Sequence, residues 1–158
     1  MRKVKDYMRS DVFFVRPNFT VFDVAKVLAK NNIGGAPVVE RGRVIGMISI
    51  SDITKFMSIS LADSDIIDHD PNSLSMLLLN LVKMGKDYRD FRKEIERMSR
   101  FQVKDMMSRN VIAIPPEAPL FEAAGMMEKH DVNRLPVIEN SKLVGIITRA
   151  DLLRALID

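Results

Sequence analysis

Ser49 and Asp52 stand three residues apart at the end of the apolar run GMISISD, and Thr148 and Asp151 do the same in GIITRAD. A hydroxyl followed three positions later by a carboxylate can do two kinds of work. At a helix start the pair satisfies free backbone N–H groups as a capping box. The same helix start offers N–H groups and positive potential to a phosphate. Its carboxylate can also accept hydrogen bonds from the adjacent hydroxyls of a ribose, as an acidic residue does in dinucleotide folds. The four residues alone leave both readings open.

Other chemistry is thinly supplied. The 158 residues contain no Cys and two His, which removes disulfides, thiolate metal sites and cysteine nucleophiles. No nucleophile–base pair, metal-ligand spacing or Walker-type phosphate loop is present, so no enzyme is expected. Hydrophobic residues make up 47% of the chain and charged ones 28%, with a net charge of +3. That balance suits a folded domain without a basic tail. No apolar run approaches the roughly 18 residues of a spanning helix, so the expected location is cytoplasmic, with no membrane partner.

The elements that must position the two hydroxyl–acid pairs come from a repeat. A shift of about 99 positions aligns residues 4–57 with 103–156 without a gap. Val4-Lys5-Asp6, Met8, Val12, Pro17, Phe22, Ala25, Pro37-Val38, Glu40, Gly46, Ile48 and Asp52 recur identically. In each copy a β-branched stretch, DVFFV or NVIAI, runs into Pro17 or Pro115-Pro116 and is expected as a short strand. An amphipathic helix follows, with Val21, Val24, Ala25 and Leu28 on one face of the first copy and Leu120, Ala123, Ala124 and Met127 in the second. Thr20 and Asp23 form a capping box for the first, and Pro119 suits the first turn of the other. Two apolar strands then flank a hairpin at Arg41-Gly42-Arg43 or Asn140-Ser141-Lys142, and a short helix closes the unit. Each unit is too small to bury a comfortable core alone, so the copies are expected to pack about a pseudo-twofold axis.

This doubled pattern of VKDxM, h-x-x-P-V-h-E and G-h-I-[ST]-x-x-D closely resembles the CBS domain pair, or Bateman module. The resemblance implies an α+β fold of two β-α-β-β-α repeats, two clefts between them, and binding of an adenosine-containing ligand: AMP, ADP, ATP or S-adenosylmethionine. It implies a sensor that needs no cofactor beyond that ligand, commonly a homodimer, acting on a regulated protein partner. Carried onto this chain, it assigns ribose to Asp52 and Asp151, and phosphate or ribose contacts to Ser49 and Thr148. Main-chain contacts to adenine fall to Gly35, Ala36 and Pro37, with Arg134, Leu135 and Pro136 in the other copy. Val15 and Ile114 become pocket walls, though both also suit a core. Gly34-Gly35 fits either close approach to a base or a turn with unusual backbone angles. Arg134, just before the L-P-V, is the residue that the resemblance directs to phosphates, and Arg149 adds charge at the same helix start. The first copy has Gly35 and Ile50 there, so two unequal sites are expected.

The organisation is thus repeat one at 1–57, an insert at 58–102 and repeat two at 103–158. The insert opens with a stretch read as acidic and turn-rich, then carries Leu74, Leu77, Leu78, Leu81, Tyr88, Phe91, Ile95 and Met98 at helical spacing with a break at Gly85. Its Asp63, Asp65, Asp68, His69, Asp70 cluster fits no calcium loop, and no metal is expected. Acids interleave with its Lys and Arg at intrahelical pairing distances, so nucleic acid is not expected. The alternative function is a structural or nucleic-acid-associated adaptor acting through this helical insert.

Overall fold

The computed structural model describes residues 1–62, 93, 96–97 and 99–158, with side chains of 57–62 left aside. The insert's acidic cluster and the apolar positions of its expected helices lie outside the described residues. The elements in chain order are α1 (Val4–Tyr7), α2 (Val21–Lys30), β1 (Gly35–Glu40), β2 (Arg43–Ser49), α3 (Ile50–Ala62), α4 (Val103–Met106), α5 (Leu120–Lys129), β3 (Arg134–Glu139), β4 (Lys142–Thr148) and α6 (Arg149–Ile157). This is the mixed helix and strand content expected, with β1–β2 and β3–β4 as separate two-stranded sheets. α3 runs to Ala62, so the first five residues of the stretch read as turn-rich continue the helix.

The chain divides into two compact units. One holds Met1–Phe14, Pro37–Met47 and Arg109–Asp158; the other holds Val15–Ala36 and Ile48–Ser108. In the first unit β3 and β4 pair antiparallel from Arg134 opposite Thr148 to Glu139 opposite Lys142, with an irregularity between Val137 and Ile138. Their turn places Asn140 at φ 49° and Ser141 at φ 64°. Positive φ at both central positions matches the right-handed twist of the flanking strands. The β1–β2 turn repeats it with Arg41 at φ 50° and Gly42 at φ 77°, so Arg43, expected in the turn, begins β2 instead. Val4, Ile114, Ala118, Ala123, Met127, Leu135, Val137 and Ile147 form the core of this unit.

The leading segment of the first repeat is part of that core. Val4 N–H donates to the Ala118 carbonyl and Lys5 N–H to the Pro116 carbonyl, each at 2.9 Å. Arg9 and Ile146 exchange both backbone bonds, again at 2.9 Å. The second unit mirrors this arrangement with the leading segment of the second repeat. There Val103 N–H donates to the Phe19 carbonyl at 2.8 Å and Lys104 N–H to the Pro17 carbonyl at 3.0 Å. Phe56 and Phe101 stack edge to face at 4.7 Å, a favourable geometry for aromatic quadrupoles. The recurring Asp of VKD caps its own short turn in both copies: Asp6 accepts from Lys3 N–H, and Asp105 from Gln102 N–H, both at 2.9 Å. Each repeat therefore lends its first residues to the unit that houses the other repeat's closing helix.

Two expectations need correction. The stretches DVFFV and NVIAI form no strand; each has an isolated bridge residue at its end, Val15 or Ile114. In the second copy pairing shrinks to one parallel bridge, Ile114 to Val137, made by Ile114 N–H to the Pro136 carbonyl at 3.1 Å and Ile138 N–H to the Ile114 carbonyl at 3.0 Å. The next rungs on either side would need N–H groups from Pro116 and Pro136, which have none. Pro17 and Pro37 hold the same places in the first copy. The inward helix face is also narrower than expected. Val21, Val24 and Leu28 of α2 and Ala123 and Met127 of α5 are buried, whereas Ala25 and Ala124 are exposed and Leu120 is half-buried. Pro119 stands one residue before α5 as its N-cap.

Candidate functional site

β4 delivers Thr148 to the start of α6 in an extended conformation, φ −123° and ψ 166°. From there its hydroxyl donates to Asp151 Oδ2 at 2.7 Å, its N–H donates to the same oxygen at 2.8 Å, and the Asp151 N–H donates back to Thr148 Oγ1 at 3.4 Å. The first copy builds the same corner. Ser49 hydroxyl and N–H both donate to Asp52 Oδ2 at 2.8 Å, and Asp52 N–H returns to Ser49 Oγ at 3.2 Å. The capping reading is therefore realised in full at both helix starts. It consumes one carboxylate oxygen of each Asp and leaves Oδ1 for other chemistry.

A second bond fixes each corner to the strand before it. Arg149 N–H donates to the Asn133 carbonyl at 3.1 Å, and Ile50 N–H to the Gly34 carbonyl at 3.0 Å. The residues preceding the P-V strands thus sit against the helix start, although they are distant in sequence. Arg134 and Thr148 are direct cross-strand partners, so the half-buried Arg134 shares this corner. Gly35, Ala36 and Pro37 are buried in β1, and Leu135 and Pro136 in β3. Neither Gly34 nor Gly35 has a positive φ; Gly42 is the positive-φ glycine among the described residues. A turn with unusual angles is therefore not what the glycine pair provides. Val15 is 0% and Ile114 1% exposed, which places both in the apolar core.

The two corners differ in charge. Asp151 is the one buried charged residue among those described, at 0% exposure. Its Oδ1 faces Arg9 Nε at 3.6 Å and accepts a hydrogen bond from Arg154 of the same helix. Ionising a carboxylate out of water is costly unless cations and hydrogen bonds compensate it, and here two guanidinium groups and the cap do so. Asp52 is half-buried and has no ion pair among the described residues. Arg149 points elsewhere: it reaches the Met127 carbonyl at 3.4 Å and Glu128 at 3.8 Å, both at the end of α5. Arg9 and Arg154 escaped the sequence reading. Arg154 had a signal, since it lies one helical turn after Asp151; Arg9 had none in its local spacing.

Among the described residues no group of three or more His, Asp or Glu is placed to hold a metal ion, and no helix is long and apolar enough to cross a membrane.

The sequence and the fold resemble those of known proteins. Protein MJ1426 of Methanocaldococcus jannaschii is 35% identical over 156 residues, covering 98% of this chain and 90% of its own. Two other relatives from that organism are longer, and the chain spans 38% and 46% of them. The CBS domain pair of protein MJ0100, solved in complex with 5′-methylthioadenosine and S-adenosyl-L-methionine, superposes with a TM-score of 0.69 at 23% identity, over 99% of this chain and 96% of that one. The structure of CBSX2 in complex with AMP gives a TM-score of 0.67 at 24% identity, over 99% and 97%. The CBS domain family matches residues 4–59 and again 103–158. With both strand–helix corners inside the matched segments, the chain belongs to the CBS domain family and carries two copies of its domain.

Proposed function

We propose that the protein is a regulatory module that binds an adenosine-containing ligand at its two strand–helix corners and does not itself catalyse a reaction. The observation that carries this reading is the repeated corner, in which the cap uses only Oδ2 of Asp52 or Asp151; Oδ1 of Asp52 is left to receive ribose hydroxyls, and Oδ1 of Asp151 receives them in place of a guanidinium. Around it, Gly35-Ala36-Pro37 and Arg134-Leu135-Pro136 supply main-chain groups for a base, and the helix start supplies potential for a phosphate. Ser49 and Thr148 orient the acids. Val15 and Ile114 back the pocket from the core. The ligands held by MJ0100 and CBSX2 support the class: each contains adenosine.

Occupancy is transmitted through a second copy of the chain. Phe121 on α5 is 70% exposed, and Leu153, Leu156 and Ile157 on α6 are 65%, 79% and 86% exposed. The three on α6 recur at i, i+3 and i+4 and share a face, and α5 and α6 touch each other. An apolar face of this kind suits association of two copies. A ligand then regulates by its differential affinity for two arrangements of the pair.

Isothermal titration with AMP, ADP, ATP and S-adenosylmethionine tests the proposal. Binding of one of them, weakened at least tenfold by Asp52→Ala or Asp151→Ala, is expected; no heat with any of the four would overturn it.

A further inference from the structure

We propose that Arg9 is a specificity-determining residue of the second-repeat corner and makes that site selective for anionic adenosine ligands. This rests on the nucleotide-site reading above and deepens it. Arg9 belongs to the first repeat in sequence, yet its backbone is fixed to Ile146 by two bonds of 2.9 Å, five residues before Asp151. The segment is fixed again at its start, where the Arg2 side chain donates to the Ala155 carbonyl of α6. The Arg9 side chain is 60% exposed and lies against a carboxylate that is 0% exposed. The backbone stays in place while the guanidinium is free to swing.

That arrangement sets a condition on the ligand. Ribose hydroxyls reach Asp151 Oδ1 only by taking the place of a guanidinium. Arg154 sits on the same helix turn and keeps its contact more easily than Arg9, which arrives from another element. A displaced Arg9 has exchanged a carboxylate for water, and an anion beside it restores the lost pairing. A phosphate on the ligand provides one, and the planar guanidinium suits it bidentately. An uncharged nucleoside leaves Arg9 to water alone, and a sulfonium compound adds like charge.

The first repeat lacks the device. The position equivalent to Arg9 is Ser108, those equivalent to Arg134 and Arg149 are Gly35 and Ile50, and Asp52 is already half-exposed. The two corners therefore divide ligands by charge: the second takes a nucleotide, while the first accepts adenosine compounds without a phosphate.

The test is titration of AMP and of uncharged 5′-methylthioadenosine into full-length protein carrying Asp52→Ala, so that the second corner reports, with and without Arg9→Gln. Circular dichroism melts confirm that each variant folds. The Arg9→Gln change is expected to weaken AMP at least tenfold and to leave 5′-methylthioadenosine unchanged or tighter, with Arg9→Lys intermediate for AMP. Equal weakening of both ligands, or no change in either, overturns the role of Arg9 and leaves the site intact. Failure of the wild-type protein to bind either ligand overturns the site itself, and this inference with it.

Discussion

Thr148 Oγ1 donates to Asp151 Oδ2 at 2.7 Å, and Ser49 Oγ makes the same bond to Asp52 Oδ2 at 2.8 Å. Equal geometry does not make the two acids equal in energy, because only Asp151 is fully buried and ion-paired among the described residues. Asp52→Ala is expected to cost about 1 kcal/mol, the worth of a helix cap. Asp151→Ala is expected to cost about 2 kcal/mol, since it also removes charge-assisted bonds. Arg9 and Arg154 are half exposed and regain water, which keeps the loss below that of a broken buried pair. Urea denaturation of the two variants measures the difference.

Gly145 of β4 lies close against the leading segment. A methyl group there would stand 2.5 Å from Met8 Sδ and 3.1 Å from the Arg9 carbonyl oxygen. Gly145→Ala is expected to destabilise by about 1–3 kcal/mol, as overpacking does. Amide exchange should accelerate first at Arg9 and Ile146, whose mutual bonds lie beside the added methyl. Uniform acceleration across the unit would contradict a local wedge.

Glu117 accepts from both Lys3 and Lys5 at 2.6 Å. These two ammonium groups hold its carboxyl at about 2, well below its usual 4.5. A depressed acid contributes stability that is complete above the unfolded value and lost as pH falls through the folded one. The leading segment should therefore loosen between roughly pH 4.5 and 2, and Glu117→Gln should flatten that part of the stability curve. The three side chains are exposed, so the effect is small and is screened by added salt. A pH dependence unchanged by either salt or Glu117→Gln would contradict it.

Leu156→Glu on the exposed face of α6 should convert the proposed dimer to monomer in sedimentation velocity while leaving the melting curve close to that of the parent. Leu156 is 79% exposed in the single chain, so a charge there meets water in the monomer. Loss of folding instead of dissociation would assign the residue to the core.

Much of this architecture is written in local patterns. Thr20 and Asp23 announce a helix start and form it, with the hydroxyl donating at 2.9 Å. The hairpins and closing helices also follow from short-range chemistry. The first strands do not, because a β-branched run gives only propensity, while pairing needs donors on both partners. Pro116 and Pro136 are far apart in sequence, and only their juxtaposition shows that both neighbouring rungs are missing. Ala25 and Ala124 mislead for a different reason: apolar type marks a residue that tolerates burial, not one that obtains it. At the site, the acids and hydroxyls were legible as a motif. Arg9 was not, since its partner Asp151 lies in the other repeat and no spacing rule connects them.

The exchanged leading segments have a consequence for how the molecule comes into being. The unit around Ile114 and Leu135 draws on Val4 from the start of the chain and Ala155 near its end. The other unit needs Val103 beside Phe19. A ribosome that has released repeat one alone has finished neither unit: one waits for the segment ending at Ser108 and the other for the closing helix of the second repeat, and the contacts that matter are distant in sequence. Cutting the chain inside the insert would yield two fragments that are each incomplete, yet reciprocal: mixed together, each carries the piece the other lacks.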